Sequence, residues 1–305
     1  MITKRGGFAL AIVLWIVAAL LVGVAYLSTL SRDTVQLSYN LKDKLNSKII
    51  AQNYLEALKF YILTGNYDNR SIINNIKTLQ LPSRFIVDGR AYKVKNARIR
   101  LQDASGMINV FYPDAQLVAK MATDSSQREL FYSIKDSVKD WIDTDNNVRL
   151  NGAEQAYYQL KKDLQYQPGN ITVLQSISEL HLIKGVRDLS KQQWNQLKKT
   201  LYAQSNGAMV NLTLVNKKYL ISLLKLNPLE ADTLLQYKEK DLQKFIKLVM
   251  QNKNYNDESM GFYLSYIIKI EITVKINKAK TKIMTMINFR PHSKQAYKTL
   301  FYKVY

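Results

Sequence analysis

The chain has 305 residues, of which 47% are hydrophobic, so it can form one large domain or two smaller ones with a packed core. It contains no cysteine, which excludes disulfide bonds and thiolate metal sites, and its two histidines, His181 and His292, lie too far apart in sequence to suggest a histidine-based catalytic or zinc site. The formal net charge is +20, but the lysines are spread along the whole chain, which favours a solvated surface over a nucleic-acid-binding face.

An uncharged stretch of 23 residues, Phe8 to Leu30, follows Lys4 and Arg5 near the amino terminus. A bilayer core of about 30 Å is crossed by about 20 helical residues, so this stretch is long enough to span it. It is longer than the apolar segment of a secretory signal, which has about 7 to 15 residues. The positive charges before it predict a cytoplasmic amino terminus and a globular part on the other side of the membrane.

A helical pattern continues beyond the membrane span. Apolar residues recur at steps of three or four, and Gly65 supplies a natural end, so we predict one helix from Phe8 to Thr64. The recurring positions are Leu37, Leu41, Leu45, Ile49, Leu55, Leu58 and Ile62. This periodicity leaves open whether the helix is an anchor with a stalk or a filament subunit whose helices bundle.

Two regions show the alternation of β-strands. Residues 84–103 alternate around an Asp88–Gly89 turn signal, and Ile268 to Asn277 alternates strictly between apolar and polar residues. The residues "NKAK" then lead into a second run, Thr281 to Arg290, which predicts a hairpin. Strands at both ends of the globular part imply that the region between them is an insertion.

The inserted region has helical patterns. A capping-box pattern at Ser126–Glu129 precedes a face formed by Leu130, Ile134, Val138 and Trp141. Residues 189–202 and 229–250 predict further amphipathic helices. The predicted fold class is therefore α+β, with a long N-terminal transmembrane and amphipathic helix, a small antiparallel sheet and a large inserted α-helical domain.

The residues "DWIDTDNNVRLNGAEQAYY", 140–158, carry the clearest chemical signal. Taking Asp143 as position one, Asp145, Asn147 and Glu154 occupy positions three, five and twelve, which is the spacing of oxygen ligands in a calcium-binding loop. Asp140 is a weaker candidate ligand. Val148 stands where an EF-hand has glycine, so we expect a calcium loop without the EF-hand fold. The alternative is an acidic, turn-rich surface loop.

Residues 176–186, "SISELHLIKGV", resemble the first half of a helix-hairpin-helix, whose turn amides can hold a DNA phosphate. The usual second glycine is replaced by Arg187, and packing is the commoner role of such a hairpin, so we favour a structural function. The sequence contains no paired catalytic carboxylates in an apolar frame, Gly-rich phosphate loop or nucleophile elbow, so we expect no enzyme and no catalytic residues.

Together these motifs resemble the type II secretion minor pseudopilin K family, also called general secretion pathway protein K. The resemblance runs through most of the chain. It includes "RGGFALAIVLW", "RIRLQDASGMINV" with Asp103, Gly106 and Asn109, the acidic loop, residues 176–186 and "NGAMVNLTLVNKKYLISLL".

The resemblance implies the following division of the chain: a prepilin leader at 1–7, a transmembrane part of the helix at 8–30, its periplasmic part at 31–64, a pilin-like sheet at 84–111 and 259–305, and an inserted helical domain at 112–258. It also implies that the prepilin peptidase cleaves after Gly7 and that Phe8 becomes a methylated amino terminus. The family's calcium-binding region corresponds to Asp143, Asp145 and Glu154; Asn147 is added from spacing alone.

The expected function is that of a minor pseudopilin in the inner membrane, single-pass, with its globular domain in the periplasm. It would lie at the pseudopilus tip with minor pseudopilins I and J, contact the major pseudopilin and membrane lipid, and help to initiate pseudopilus assembly and protein secretion across the outer membrane. No nucleic acid is expected as a partner. The alternatives are a minor pilin of a type IV pilus or DNA-uptake machine that contacts nucleic acid, and a plain membrane anchor carrying an enzyme.

Ile12 occupies the position where related pilin-like proteins carry a glutamate that pairs with the amino terminus of the subunit ahead. A carboxylate in the membrane costs about 2.5 to 3.5 kcal/mol on insertion scales and so requires a partner. A tip subunit has no subunit ahead of it. The isoleucine therefore predicts the first position in the filament.

Overall fold

The structure is a computed structural model. It describes the following residues, with backbone alone for 6–9: 6–75, 80–160, 166–169, 171–205, 207, 209–291 and 294–305. Residues 1–5 of the predicted leader and His292 lie outside this part of the chain.

Helix α1 extends from Gly6 to Thr64 without interruption, which confirms the predicted long helix and its end. A Cβ atom at Gly65 would lie 2.8 Å from the side chain of Ile72 and from the carbonyl oxygen of Tyr61. A larger residue would therefore disturb the turn that leads from the helix into the first strand.

The two halves of α1 have different surroundings. Every residue from 10 to 42 is exposed, and Ser47 is the first buried one. Beyond it, Tyr54, Leu58 and Ile62 turn a buried face toward the sheet. The first half is long and apolar enough to cross a membrane, and nothing in the described part of the chain covers it.

Two antiparallel sheets pack on the second half of α1. The smaller sheet has the order β1–β2–β3 and the larger one the order β12–β11–β10–β5–β4. The strand bounds are β1 Asn66–Tyr67, β2 Ser71–Ile73, β3 Arg84–Ile86, β4 Asp88–Val94, β5 Ala97–Asp103, β10 Ile267–Ile276, β11 Ala279–Asn288 and β12 Lys298–Val304.

Strands β5 and β10 are neighbours although the whole helical region lies between them in sequence. The alternation of Ile268, Ile270, Ile272 and Val274 was predicted correctly, and all four side chains face the core against α1. The helical region is therefore an insertion between adjacent strands, and the predicted α+β fold is confirmed.

The Asp88–Gly89 turn prediction is wrong. The hairpin turn lies at Lys95–Asn96, since Val94 pairs with Ala97, and Gly89, at φ +83°, lies in an irregularity between Asp88 and Ala91. Alternate residues of β5 are buried, and this burial fixes the register of β5 against β4. A turn at Asp88–Gly89, seven residues before the observed one, would not allow that register. The Asp-Gly pair therefore forms a bulge instead of a turn.

The carboxy-terminal hairpin is confirmed, with a two-residue turn at Asn277–Lys278. Asn277 has φ 50°, a conformation that asparagine tolerates well. Three strands of these two sheets were not predicted: the edge strand β12 and the short strands β1 and β2. They carry too few alternating apolar residues to stand out in the sequence.

The inserted region contains eight helices in the described part of the chain. They are α2 Ala115–Ala122, α3 Arg128–Ile142, α4 Gln155–Leu160, α5 Ile177–Leu180, α6 Lys191–Lys199, α7 Lys217–Leu224, α8 Pro228–Lys240 and α9 Leu242–Met250. Two parallel strand pairs join the beginning and the end of this region to its middle. They are β6 (Ile108–Asn109) with β7 (Leu201–Tyr202), and β8 (Val210–Asn211) with β9 (Met260–Gly261).

Two details of the helical prediction need correction. The N-cap of α3 is Gln127 and makes no side-chain capping bond, so the capping box expected from Ser126 is absent; Gln127 instead accepts a hydrogen bond from the backbone N–H of Asp124. The stretch 229–250 is two helices, because Asp241 has an extended backbone and caps the amide of Lys244. The predicted face of Ile134, Val138 and Trp141 is buried, as expected.

A buried junction connects the sheet to the insertion. The Asp103 carboxylate accepts hydrogen bonds from the backbone and hydroxyl groups of both Ser105 and Ser265. A Cβ atom at Gly106 would lie 2.6 Å from that of Leu214, and the Asn109 amide donates to the carbonyl oxygen of Gln204. The motif at Asp103, Gly106 and Asn109 therefore fixes the exit of the chain from β5.

Candidate metal centre

Three carboxylates meet where α3 ends and α4 begins. Ligand oxygens of Asp140, Asp143 and Glu154 all lie within 4.8 Å of one another. Asp140 is on the last turn of α3, Asp143 is its C-cap, and Glu154 immediately precedes α4. Two helix ends and the loop between them thus bring residues 14 positions apart into one cluster.

Glu154 is the most unusual member of this cluster. Its side chain is buried, and neither carboxylate oxygen has a hydrogen-bond partner among the described residues. Burial, together with the negative charges of Asp140, Asp143 and Asp145, raises the pKa of Glu154 to about 7, against the opposing effect of Arg149. A buried carboxylate with no donor is costly unless a cation or a proton compensates it.

Arg149 neutralises part of the cluster. Its Nη1 lies 2.5 Å from Oδ1 of Asp140 and 2.5 Å from Oδ2 of Asp143, and its backbone N–H donates to Asp140 Oδ2. These ion pairs raise the pKa of the guanidinium. Oδ1 of Asp143 remains buried without a partner, as do both oxygens of Glu154, so one side of the cluster is available to a ligand.

The loop is held against the cluster from two directions. A Cβ atom at Gly152 would lie closer to Asp140 than any van der Waals contact allows, so only glycine fits there. Lys184 Nζ donates to the carbonyl oxygens of Asn151 and Gly152, and Asn151 donates to Asp136 Oδ2. The geometry of the carboxylates is thus set by packing as well as by the loop itself.

The four residues selected by spacing fall into two groups. Asp143 and Glu154 belong to the cluster, while Asp145 and Asn147 are exposed, with Asp145 Oδ1 accepting the backbone N–H of Asn147 at 2.7 Å. Asp145 is close enough to influence the pKa of Glu154. Asp140, the weaker candidate in sequence, is fully buried and lies in the cluster.

The segment 176–186 forms a short helix and a turn that pack beside this loop. Glu179 accepts the indole N–H of Trp141, and the amide of Lys184 donates to the Tyr158 hydroxyl. The amide of Gly185 donates to Asp188. These turn amides already donate hydrogen bonds to side chains of the same domain, so the segment packs against the acidic loop. This supports the structural interpretation over phosphate binding.

Sequence reasoning missed Arg149, Gly152 and Lys184 as parts of this centre. Arg149 and Gly152 lie inside the acidic motif, and an arginine and a glycine between the proposed ligands were a usable signal. Lys184 lies far away in sequence, and only the packing of the 176–186 segment brings it to the loop.

The donor set suits a hard divalent cation. Calcium takes six to eight oxygen ligands, and clustered carboxylates with a glutamate able to bind through both oxygens provide them. The unpartnered oxygens of Glu154 and Asp143 are the groups that such an ion would satisfy. The residues present therefore fit a calcium ion.

Residues 113–206, which include the whole acidic loop, match the family model of the type II secretion system (T2SS) protein K. The predicted resemblance to the minor pseudopilin K family is confirmed over these residues. A search of curated proteins finds no match.

Among solved structures, the chain is similar to one chain in the crystal structure of the GspK–GspI–GspJ complex of the type 2 secretion system of enterotoxigenic Escherichia coli. The similarity covers 90% of this chain and 98% of the other, with a TM-score of 0.52 and 16% sequence identity. At this identity it shows the shared fold. The protein K match therefore lies within a fold that the structural neighbour shares over almost its full length.

Proposed function

We propose that this protein is a minor pseudopilin of a type II secretion system that assembles with I-type and J-type minor pseudopilins at the tip of the pseudopilus. There it helps to initiate pseudopilus assembly and secretion across the outer membrane. The observation that carries the proposal is that the protein K match lies in the helical insertion of a chain whose N-terminal helix is long and apolar enough to cross a membrane. The composition of the similar complex, GspK with GspI and GspJ, supports the choice of partners.

The exposed surface of α1 beyond the membrane supports assembly with other helices. Leu37, Leu41 and Leu45 are 58 to 62% exposed, although they lie after Arg32 and Asp33, the first charged residues beyond the apolar stretch. Such apolar side chains outside a bilayer favour association with another apolar surface. In a pseudopilus, that surface would be the helices of neighbouring subunits.

Co-purification of the full chain in detergent with the I-type and J-type minor pseudopilins of the same system tests the proposal. We expect a stable complex that Leu41→Lys with Leu45→Lys disrupts. Asn40→Lys with Asn46→Lys adds the same charge at polar positions and should weaken the complex less. Recovery of the chain alone, with both partners folded and present, would contradict the proposal.

We further propose that the prepilin peptidase removes residues 1–7 and that Phe8 becomes the methylated amino terminus of a single-pass inner-membrane protein with a periplasmic globular part. Gly7→Ala should leave the leader attached. Mass spectrometry of the purified protein reads the first residue directly, and a variant that still begins at Phe8 would refute this processing step.

A calcium ion, we propose, completes the centre. Asp140, Asp143 and Glu154 would hold it, with Asp145 and Asn147 as the exposed members of its shell. The role is structural: the ion would neutralise Glu154 and tie the end of α3 to the start of α4. In a chain without cysteine, such a link would replace the disulfide bonds that other exported domains use.

A further inference from the structure

The larger sheet has a face that points away from α1 and is strongly basic. Across one end of this face, most of the exposed side chains are lysine or arginine, and they line a groove of about 750 Å³ together with Asn96 and Asn277. We call the following exposed residues the basic rim: Lys93, Lys95, Arg98, Lys275, Lys278, Lys280 and Lys303.

Few carboxylates oppose this charge. Glu271 also lines the groove, and it is 3.2 Å from Lys282 and 3.8 Å from Lys269. Asp43 on α1 accepts a hydrogen bond from the side chain of Asn277. Neither carboxylate forms an ion pair with a rim residue among the described contacts, so the rim has a concentrated positive potential.

The contacts of α1 show which end of the sheet carries the rim. The first contacts after the membrane span are those of Asp43 with Asn277, Lys44 with the carbonyl oxygen of Lys280, and Ser47 with Thr281. Later residues of α1, such as Tyr61, contact the opposite end of the sheet region through Ser83. The hairpin turns that carry the rim are therefore the part of the globular region nearest the membrane.

A tilt of α1 brings the rim within the range of an electrostatic contact with lipid. Asp43 lies 13 residues beyond Leu30, which is about 20 Å along the helix. The interfacial layer extends about 5 to 8 Å past the hydrocarbon core, and charges act over a screening length of about 8 Å at physiological salt. For an upright helix, a gap of about 12 to 15 Å therefore remains between Asp43 and the headgroup layer. A helix tilt of about 20°, the average for membrane spans, reduces this gap on one side of the sheet.

We infer that the basic rim binds the anionic phospholipid headgroups of the membrane that α1 crosses, and that this contact fixes the tilt of the globular region over the bilayer. Charge complementarity and the membrane-facing position of the rim favour lipid over an acidic protein or a nucleic acid. The inference depends on α1 spanning a bilayer and is independent of the proposed pseudopilin partners.

The full chain in lipid nanodiscs provides the test. Because the protein has no cysteine, Asn96→Cys, in the exposed turn next to Lys95, gives a single site for a fluorescent donor. An acceptor attached to lipid headgroups then reports the distance from the rim to the membrane surface. We expect strong energy transfer in discs containing phosphatidylglycerol, and weaker transfer in pure phosphatidylcholine or in 0.5 M salt, since screening weakens the contact (about 4 Å Debye length).

Two charge-matched variants separate the rim from the overall charge. Replacing Lys95, Lys275, Lys278 and Lys280 with glutamine should remove the lipid dependence and weaken the attraction to anionic lipid by about tenfold or more. Replacing the exposed lysines Lys191, Lys240, Lys247 and Lys253 of the helical region removes the same charge and should leave the dependence intact. Circular dichroism checks that both variants remain folded.

Three outcomes would overturn the inference. Equal energy transfer in neutral and anionic discs would show that the rim does not contact headgroups. An equal loss in both variants would show a nonspecific effect of net charge. Rim-dependent binding of a short DNA duplex or of a polyglutamate peptide, without any lipid dependence, would assign the rim to another class of partner.

Discussion

The sheet region and the inserted helical region each bury a carboxylate, and they treat it in opposite ways. In the sheet region, Asp103 accepts hydrogen bonds from the amides and hydroxyls of Ser105 and Ser265. In the helical region, Glu154 is buried with no donor and lies beside Asp140 and Asp143. The first carboxylate completes a protein network, whereas the second leaves bonding capacity for something outside the protein.

The hydrophobic cores show the same division. One buried cluster joins the second half of α1 to the two sheets, and another joins α2 to α9 around Ile134 and Trp141. Leu214 lies in the insertion by sequence but packs with the sheet cluster, close to the Asp103 junction. In the sheet region, the protein's own groups therefore satisfy the buried carboxylate of Asp103. In the helical region, a bound ligand would satisfy the buried carboxylate oxygens that have no partner.

The largest expected effect comes from breaking each core separately. Leu58→Ala and Ile134→Ala each truncate a fully buried side chain, one in each cluster, and should each cost about 2 to 5 kcal/mol. Because the cores are separate, hydrogen exchange should accelerate mainly in the region that carries the substitution. If both variants accelerate exchange equally throughout, the two regions form one cooperative unit and the comparison fails.

Calcium should stabilise the helical region alone. At a free calcium concentration about a hundred times Kd, the gain is about 2.7 kcal/mol, seen as a higher melting temperature of the full chain in detergent. Asp143→Ala with Glu154→Ala should remove most of that gain, and Asp145→Ala with Asn147→Ala a smaller part. Asp257→Ala with Glu258→Ala, both exposed residues, is the control. A melting temperature unchanged by calcium or chelator would refute the calcium proposal.

The two buried carboxylates should respond differently to an isosteric amide. Asp103→Asn places amide hydrogens among groups that already donate, and we expect it to cost about 1.5 to 3 kcal/mol. Glu154→Gln in chelator removes an unpaired buried charge and should cost nothing or stabilise the protein. Denaturant titration measures both changes, and a large loss of stability from Glu154→Gln without calcium would show that the carboxylate has a protein partner.

The smallest effect concerns pH. Burial lowers the pKa of His181, which stacks on Trp194 at 4.3 Å, and the charges of Lys198 and Arg187 lower it further, while a hydrogen bond to the backbone of Val186 opposes them. The folded state then binds fewer protons than the unfolded state just below the ordinary histidine pKa of about 6.5. Stability should therefore fall as the pH drops below about 6.5.

His181→Phe keeps an aromatic ring against Trp194 and should flatten this pH dependence. Thermal unfolding between pH 5 and 7.5 compares the two proteins. An unchanged slope in the variant would assign the pH dependence to another group.

The sequence predicted the parts of the fold that have a long, regular pattern. The uninterrupted apolar and heptad-like run predicted α1 to its last residue, and strict alternation predicted β10 and its hairpin. Short or irregular features were missed or misplaced: the edge strand β12, the turn at Lys95–Asn96, and the N-terminus of α3. Local signals such as Asp-Gly or Ser-x-x-Glu specify a conformation only where the surrounding register allows it.

For the candidate site, spacing alone selected Asp143 and Glu154. A tight loop after a helix brings the first and twelfth positions together, and this does not depend on the rest of the fold. The sequence by itself also determined the candidate membrane helix, since its 23 uncharged residues are enough to cross a bilayer. Only the tertiary structure decided that Asp140 belongs to the cluster and that Asp145 and Asn147 face solvent. Burial and orientation depend on what packs against the loop, and here the packing partner, Lys184, lies 30 residues beyond the last ligand.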